Sequence, residues 1–266
     1  MEDLTVIIPV HEYNEDISKY LQLAVNSVKE QIEQPGTILI VAPADVVSVI
    51  SKQFDGSGIE FVENSNKTDY CTQVNTGVKA CKTKYFSILE FDDVYTKNWF
   101  KNVKTYIKAK PEYSIFLPIN KFIDGEGKEV GMVNEIFWAM AFSNELGVID
   151  ADILQSYYDF SSAGGVFRTD DFIESGLLKP SIKLAFWYEY FLRTVNEGIK
   201  IFVIPKNGYT HMVNRKGSLM DSLVGTEGKE RNFWLKLAKR EYYFKKERVS
   251  NAKYVAEKEI EDIDEL

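Results

Sequence analysis

The stretch LTVIIPVHEYNED, residues 4–16, decides how this chain is read. Leu4 to Val10 is a continuous apolar, β-rich run that Pro9 and a polar segment bring to an end. Asn14 then supplies a side-chain oxygen to cap a helix, with Glu15 and Asp16 in the first turn, where negative charge is favoured. Ile17, Leu21, Val25, Val28 and Ile32 follow at near-helical spacing until Pro35-Gly36 stops them. A buried strand feeding directly into an amphipathic helix is half of a βαβ unit.

Outward from that unit the pattern repeats. Thr37 to Ala42 predicts a second strand, Val46 to Phe54 a helix and Ile59 to Val62 a third strand. Val74, Val78 and Cys81 mark a further helical face, and Tyr85 to Phe91 a fourth strand. Thr96 is placed to cap a helix reaching Lys110 before Pro111. Such repeats imply right-handed crossovers and a mainly parallel α/β sheet flanked by helices, with ligands beyond the carboxyl ends of the strands. The later sequence is less regular. Ser114 to Asn120 reads as a strand, Leu184 to Asn196 as a helix and Ile199 to Pro205 as another strand. From Glu227 the pattern is helical, with Phe233, Trp234, Leu237, Ala238 and Tyr242 on one face, before an acidic tail.

Composition sets bounds. The chain has 266 residues, 45% hydrophobic and 27% charged, which is ordinary globular content. A net charge of −8 weighs against a broad phosphate-binding surface. Cys71 and Cys81 offer neither a disulfide framework nor metal-ligand spacing. The N-terminal run is too short for a signal peptide and no window approaches a membrane span, so a cytoplasmic chain with no integral membrane segment is expected.

The sharpest chemical feature is Glu90-Phe91-Asp92-Asp93, closing the fourth strand. Carboxylates at a strand end place hard oxygen ligands where a bound diphosphate would lie, and Mg²⁺ or Mn²⁺ commonly bridges the two.

Taken in order, VIIPVHEYNE, the Asn-x-Gly at Asn75 and Gly77, and the strand closing on Asp92-Asp93 resemble the family-2 glycosyltransferases of the GT-A fold. SAGGVFRTDDFIESG at 162–176 and THMVNRKGSL at 210–219 continue the resemblance, which covers roughly residues 4 to 220. It implies a GT-A-type, Rossmann-like sheet with a nucleotide-sugar-binding half at 1–110, an acceptor-side half at 111–222 and a C-terminal helical extension at 223–266. It further implies a metal-dependent, inverting transfer from a nucleotide-diphosphate sugar, UDP-linked by default, to a hydroxyl acceptor that is a glycan, a small molecule or a modified DNA base. Asp93 would ligate the metal, with Asp92 at the metal or the ribose and His211 near both metal and diphosphate. Pro9, His11 and Tyr13 would lie beside base and ribose, Asp45 would reach the base, and Asn75 and Gly77 would shape the loop under the diphosphate. Arg215 and Lys216 would neutralise the departing group.

Two departures bear on this. The second strand ends VAPAD rather than Asp-Asp-Gly-Ser, and Val74 stands where an Arg often precedes the Asn. The family draws its general base from a Glu-Asp pair at the start of the helix that here contains AFWYEYFLR. Phe186 and Trp187 occupy those places, leaving Glu189 as the nearest carboxylate and Asp170 and Asp171 as fallbacks. Loss of the base would leave a non-catalytic nucleotide-sugar-binding module, and a viral DNA-modifying glycosyltransferase is a further alternative. Phe137, Trp138, Tyr157, Tyr158 and Trp187 are candidates for an acceptor platform.

Overall fold

The structure, a computed structural model, describes residues 1–54, 56–64, 69–138, 145–213 and 232–240. The first half follows the predicted alternation: β1 (Leu4–Pro9), α1 (Glu15–Lys29), β2 (Thr37–Ala42), α2 (Ala44–Gln53), β3 (Ile59–Glu63), α3 (Tyr70–Ala80) and β4 (Tyr85–Ile88). Asn14 caps α1 as expected, its Oδ1 accepting from the main-chain N–H of Asp16 and of Ile17 at 3.0 Å each. Ile17, Leu21, Ala24, Val25 and Val28 bury one face of α1, each worth about 1.5–3 kcal/mol apart from the smaller alanine. Ile32 lies beyond the helix end and is exposed, so the apolar spacing overran the helix there.

Beyond β4 come β5 (Val94–Tyr95), α4 (Trp99–Ala109), β6 (Ile115–Ile123), β7 (Glu129–Val133), β8 (Val148–Ile149), α5 (Ala151–Ser156) and β9 (Val166–Arg168). Next are α6 (Thr169–Glu174), α7 (Phe186–Asn196) and β10 (Ile201–Met212). Residues 232–240 form α8, whose Leu235 and Ala238 are buried in the core on one side of the sheet. Thr96 is not the cap of α4: its hydroxyl donates instead to the Asn207 carbonyl at 2.8 Å, tying the segment before that helix to β10.

A single sheet runs β3-β2-β1-β4-β9-β6-β10-β5, with β7 on β6 and β8 on β10. It is parallel from β3 through β4. Past β4 it is mixed, because β9 enters antiparallel between β4 and β6. Two hydrophobic layers cover the two faces.

The longest strand departs most from expectation. β10 continues past Pro205, where the sequence pattern suggested its end, to Met212. Proline cannot donate to a ladder, and the pairing with β6 accordingly slips between Val203 and Asn207, so that Pro205 falls in the irregular stretch. That continuation delivers His211 to the carboxyl end of β4. Among the described residues no helix is long and apolar enough to cross a membrane.

Candidate active site

The site begins where β4 gives out. After Leu89 the chain turns, the Asp93 N–H donating to the Glu90 carbonyl at 3.1 Å. It then pairs β5 antiparallel with the far end of β10, Tyr95 opposite Tyr209 and Val94 opposite Thr210. This pairing brings the next β10 residue, His211, to Asp93: Nδ1 lies 2.7 Å from Asp93 Oδ2. The Met212 N–H donates to the other oxygen, Oδ1, at 2.9 Å. The Tyr209 hydroxyl accepts the Glu90 N–H at 3.0 Å, so β10 holds the carboxylate loop at both ends.

The loop is braced from below. Gly164 has a φ of 72°, and a Cβ there would fall 2.5 Å from the Tyr209 ring, so only glycine lets that ring lie flat against the chain. The Gly164 carbonyl accepts from Trp99 Nε1 at 2.8 Å, and Ser87 donates to the Gly165 carbonyl at 2.8 Å. The small-residue segment SAGG is thus packing beneath the carboxylates.

Glu90, Asp93 and His211 each place one ligand atom within 4.8 Å of the others. Asp93 is buried while His211 and Glu90 are partly open, so the cluster has a covered base and an accessible rim. Burial pushes the Asp93 carboxyl up against the pull of His211. Burial disfavours the His211 cation, but the hydrogen bond and charge of Asp93, helped by Glu90 and Asp92, prevail and push its pKa up to about 9. Two carboxylates and one imidazole are ligand types that suit a divalent cation.

Of the expected ligands, Asp93 and His211 meet in the cluster. Glu90 takes the place given to Asp92, which lies beside the cluster as a further negative charge. Glu90 stood in the same quoted stretch, but sequence does not tell which carboxylates of a turn face one way. Here the turn from Glu90 to Asp93 puts those two together.

A cleft of about 720 Å³ lies next to this loop, lined by His11, Tyr13, Pro43, Asp45, Val46 and Val49 among others. The rings of His11 and Phe91 stand 5.6 Å apart and link cleft to cluster. The Tyr13 hydroxyl donates to Gln53 Oε1 at 2.9 Å, fixing its ring on the cleft wall. Pro9 is the buried last residue of β1 and does not line the cleft.

Other expected site residues serve elsewhere. Asn75 exchanges two hydrogen bonds with the Leu178 main chain, at 2.8 and 3.0 Å, latching α3 to the loop before α7. A Cβ on Gly77 would fall 2.6 Å from Ile7 Cγ2 and 3.0 Å from Val41 Cγ2, so this glycine lets α3 sit down on β1 and β2. Glu189 is wholly buried, with Arg193 Nε and Nη2 each 3.0 Å from its oxygens and Lys179 Nζ at 2.8 Å. A general base must reach an acceptor hydroxyl, whereas this carboxylate is buried against two cations. Asp170 and Asp171 begin α6, where Thr169 N–H donates to the Lys84 carbonyl at the opposite end of β4 from Asp93. Phe137 is fully buried, Trp138 donates to the Val203 carbonyl and Trp187 stacks on Phe167, so these three rings belong to packing. Arg215 and Lys216 lie outside the described residues.

Compared with known families, residues 5–164, more than half of the chain, match the model of glycosyl transferase family 2. The chain belongs to that family. Among solved structures, this family-2 chain is similar to S. aureus TarS 1–349 in complex with UDP-GlcNAc, with a TM-score of 0.63 and 15% identity over 94% of this chain and 74% of that one. It also resembles the longer S. aureus TarS chain, TM-score 0.58 and 14% identity over 93% of this chain, of which it spans 44%. The mannosyltransferase PcManGT from Pyrobaculum calidifontis, in complex with GDP-Man and Mn²⁺, aligns with a TM-score of 0.60 and 12% identity over 81% of this chain and 58% of that one. At such identities the shared property is the GT-A fold of these glycosyltransferases. A search among curated proteins returns no match.

Proposed function

We propose that this chain transfers a glycosyl group from a nucleoside-diphosphate sugar to a hydroxyl acceptor, with a divalent cation held by Glu90, Asp93 and His211. The observation that carries the reading is the 2.7 Å approach of His211 to Asp93 beside Glu90, at the strand ends and next to an open cleft. His11, Tyr13 and Asp45 take the nucleoside in that cleft, the rings against the flat base and Asp45 toward its N–H groups. The diphosphate then lies toward Glu90 and Asp93. A cation bound there, Mn²⁺ or Mg²⁺, offsets charge gathering on the leaving diphosphate. Asp93 holds His211 in place, and Met212 and Tyr209 fix the carboxylate loop. Arg215 and Lys216, following His211 in sequence, add positive charge for the same group. We take the transfer to be a single displacement with inversion at the anomeric carbon, and a UDP-linked sugar to be the donor.

One observation favours a second reading. The start of α7 presents Phe186 and Trp187, and its carboxylate Glu189 is turned inward to Arg193 and Lys179. A module that binds nucleotide-sugar without turning it over fits that arrangement. Thermal unfolding with UDP-GlcNAc or GDP-mannose, with and without Mn²⁺, tests the first half: a rise in Tm for at least one donor only when Mn²⁺ is present is expected. A donor-induced rise that ignores the metal sinks the cation assignment. Slow hydrolysis of the bound donor then separates enzyme from module, and the anomeric proton signal of the released sugar reports inversion.

A further inference from the structure

Val10 stands between the last residue of β1 and the cleft residues His11 and Tyr13. It is fully buried, so both of its main-chain polar groups need partners. Its N–H donates to the Val41 carbonyl at 2.9 Å, carrying the parallel ladder one step beyond the Pro9–Val41 pair. In a parallel ladder the N–H and C=O of one residue face the same neighbouring strand, the carbonyl accepting from the residue that follows its partner. Here that residue is Pro43, which has no N–H to give. The Val10 carbonyl is instead met by Gln73, whose Nε2 donates to it at 3.0 Å from a side chain only 2% exposed. Gln73 reaches because Gly77, one turn further along α3, lets that helix rest directly on Ile7 and Val41.

We propose that Gln73 is a positioning residue for the cleft: its carboxamide supplies the hydrogen bond that Pro43 withholds, and so fixes where His11 and Tyr13 stand. That a nucleotide occupies the cleft rests on the proposed function; the substitution of one donor for another does not. Proline at this point opens the cleft between β1 and α2, and a side chain from α3 closes the ladder without refilling it.

The test uses Gln73→Leu, Pro43→Ala and the double variant, in which the Pro43→Ala change restores a main-chain donor. Hydrogen–deuterium exchange is read on the peptide containing residues 11–14, and affinity for UDP and for GDP is measured by calorimetry with Mn²⁺ present. Gln73→Leu should speed exchange in that peptide and weaken the nucleotide that the wild type binds by roughly ten-fold. The double variant should recover both, and Mn²⁺ affinity without nucleotide should stay at the wild-type value throughout. Unchanged exchange in Gln73→Leu overturns the proposal. So does faster exchange that Pro43→Ala leaves uncorrected, since the role would then be packing alone, or faster exchange with unaltered nucleotide affinity. Wild-type protein that takes up neither UDP nor GDP overturns the functional reading, and the exchange arm then still decides whether Gln73 fixes the loop. Should Gln73→Leu not fold, Gln73→Met, similar in length but without a hydrogen-bond donor, replaces it in the same two measurements.

Discussion

Asp93 and Glu189 are both carboxylates removed from solvent, each beside a basic side chain at hydrogen-bonding distance. Their surroundings differ in what lies beside them and in access. Asp93 has one imidazole against the added negative charge of Glu90 and Asp92, and the His211 ring remains partly open. Glu189 has two full cations, Arg193 in a two-toothed grip and Lys179, and no opening of its own. Three ligand atoms converging behind an accessible rim can take a cation from outside. A carboxylate wholly buried and gripped by the chain's own cations is closed. Burial and ion pairing alone therefore do not mark a functional carboxylate; ligand atoms converging behind an open rim do.

The largest effect expected from this contrast is at Glu189. Removing one partner of a buried pair strands the other, at a cost of about 3–5 kcal/mol. Glu189→Ala should lower Tm by roughly 10 °C, with Mn²⁺ affinity of the folded fraction retained. A variant with unchanged Tm and turnover abolished would make Glu189 the catalytic base after all and would break the comparison.

Asp93 comes next, and its loss should be felt through the metal. Asp93→Asn keeps an acceptor for Met212 but removes the charge. In wild type, Mn²⁺ at a hundred times its Kd should add about 2.7 kcal/mol of stability, and in the variant that increment should vanish. Repeating the titration across pH sharpens the assignment. The His211 pKa in the metal-free protein, at about 9, lies above its ordinary value of 6.5, so the stability its proton contributes is fully present below 6.5 and is lost as pH rises toward 9. A metal that displaces this proton must bind more tightly as pH climbs through the same window. Affinity independent of pH there would exclude His211 from the ligand set.

How far the sequence reached depends on the same distinction between local and distant causes. The strands β1, β2 and β4 were legible because each is a short, largely apolar run, β3 because Ile59, Phe61 and Val62 follow a helix, and the Asn14 cap because its chemistry is local. Asp93 and His211 were legible as residue types in family order. What joins them was not: β10 passes Pro205 by slipping its register against β6, a fact about pairing that periodicity along one strand does not carry. β9 was missed because its three residues lie after an aromatic-rich stretch with no period of its own. Asn75 and Gly77 looked like donor contacts, yet their partners are Leu178, Ile7 and Val41, brought to them only by the fold. The inward turn of Glu189 follows from which side of α7 faces Arg193 and Lys179, again a tertiary fact.

The smallest effect separates the two cations that hold Glu189. Lys179 Nζ is 2.8 Å from Glu189, but the lysine side chain is 36% exposed and solvent screens it, while Arg193 is 7% exposed and holds both carboxylate oxygens. Lys179→Met keeps the aliphatic stem and removes one charge. With Arg193 still in place the carboxylate stays paired, so the expected loss is about 0–1 kcal/mol, read as a shift in the denaturant midpoint. A loss approaching that of Glu189→Ala would mean that Lys179, at the rim of the loop, is the partner on which the cluster depends. Glu189 would then sit nearer the surface chemistry than its burial implies, and the line drawn between the two carboxylates would have to be moved.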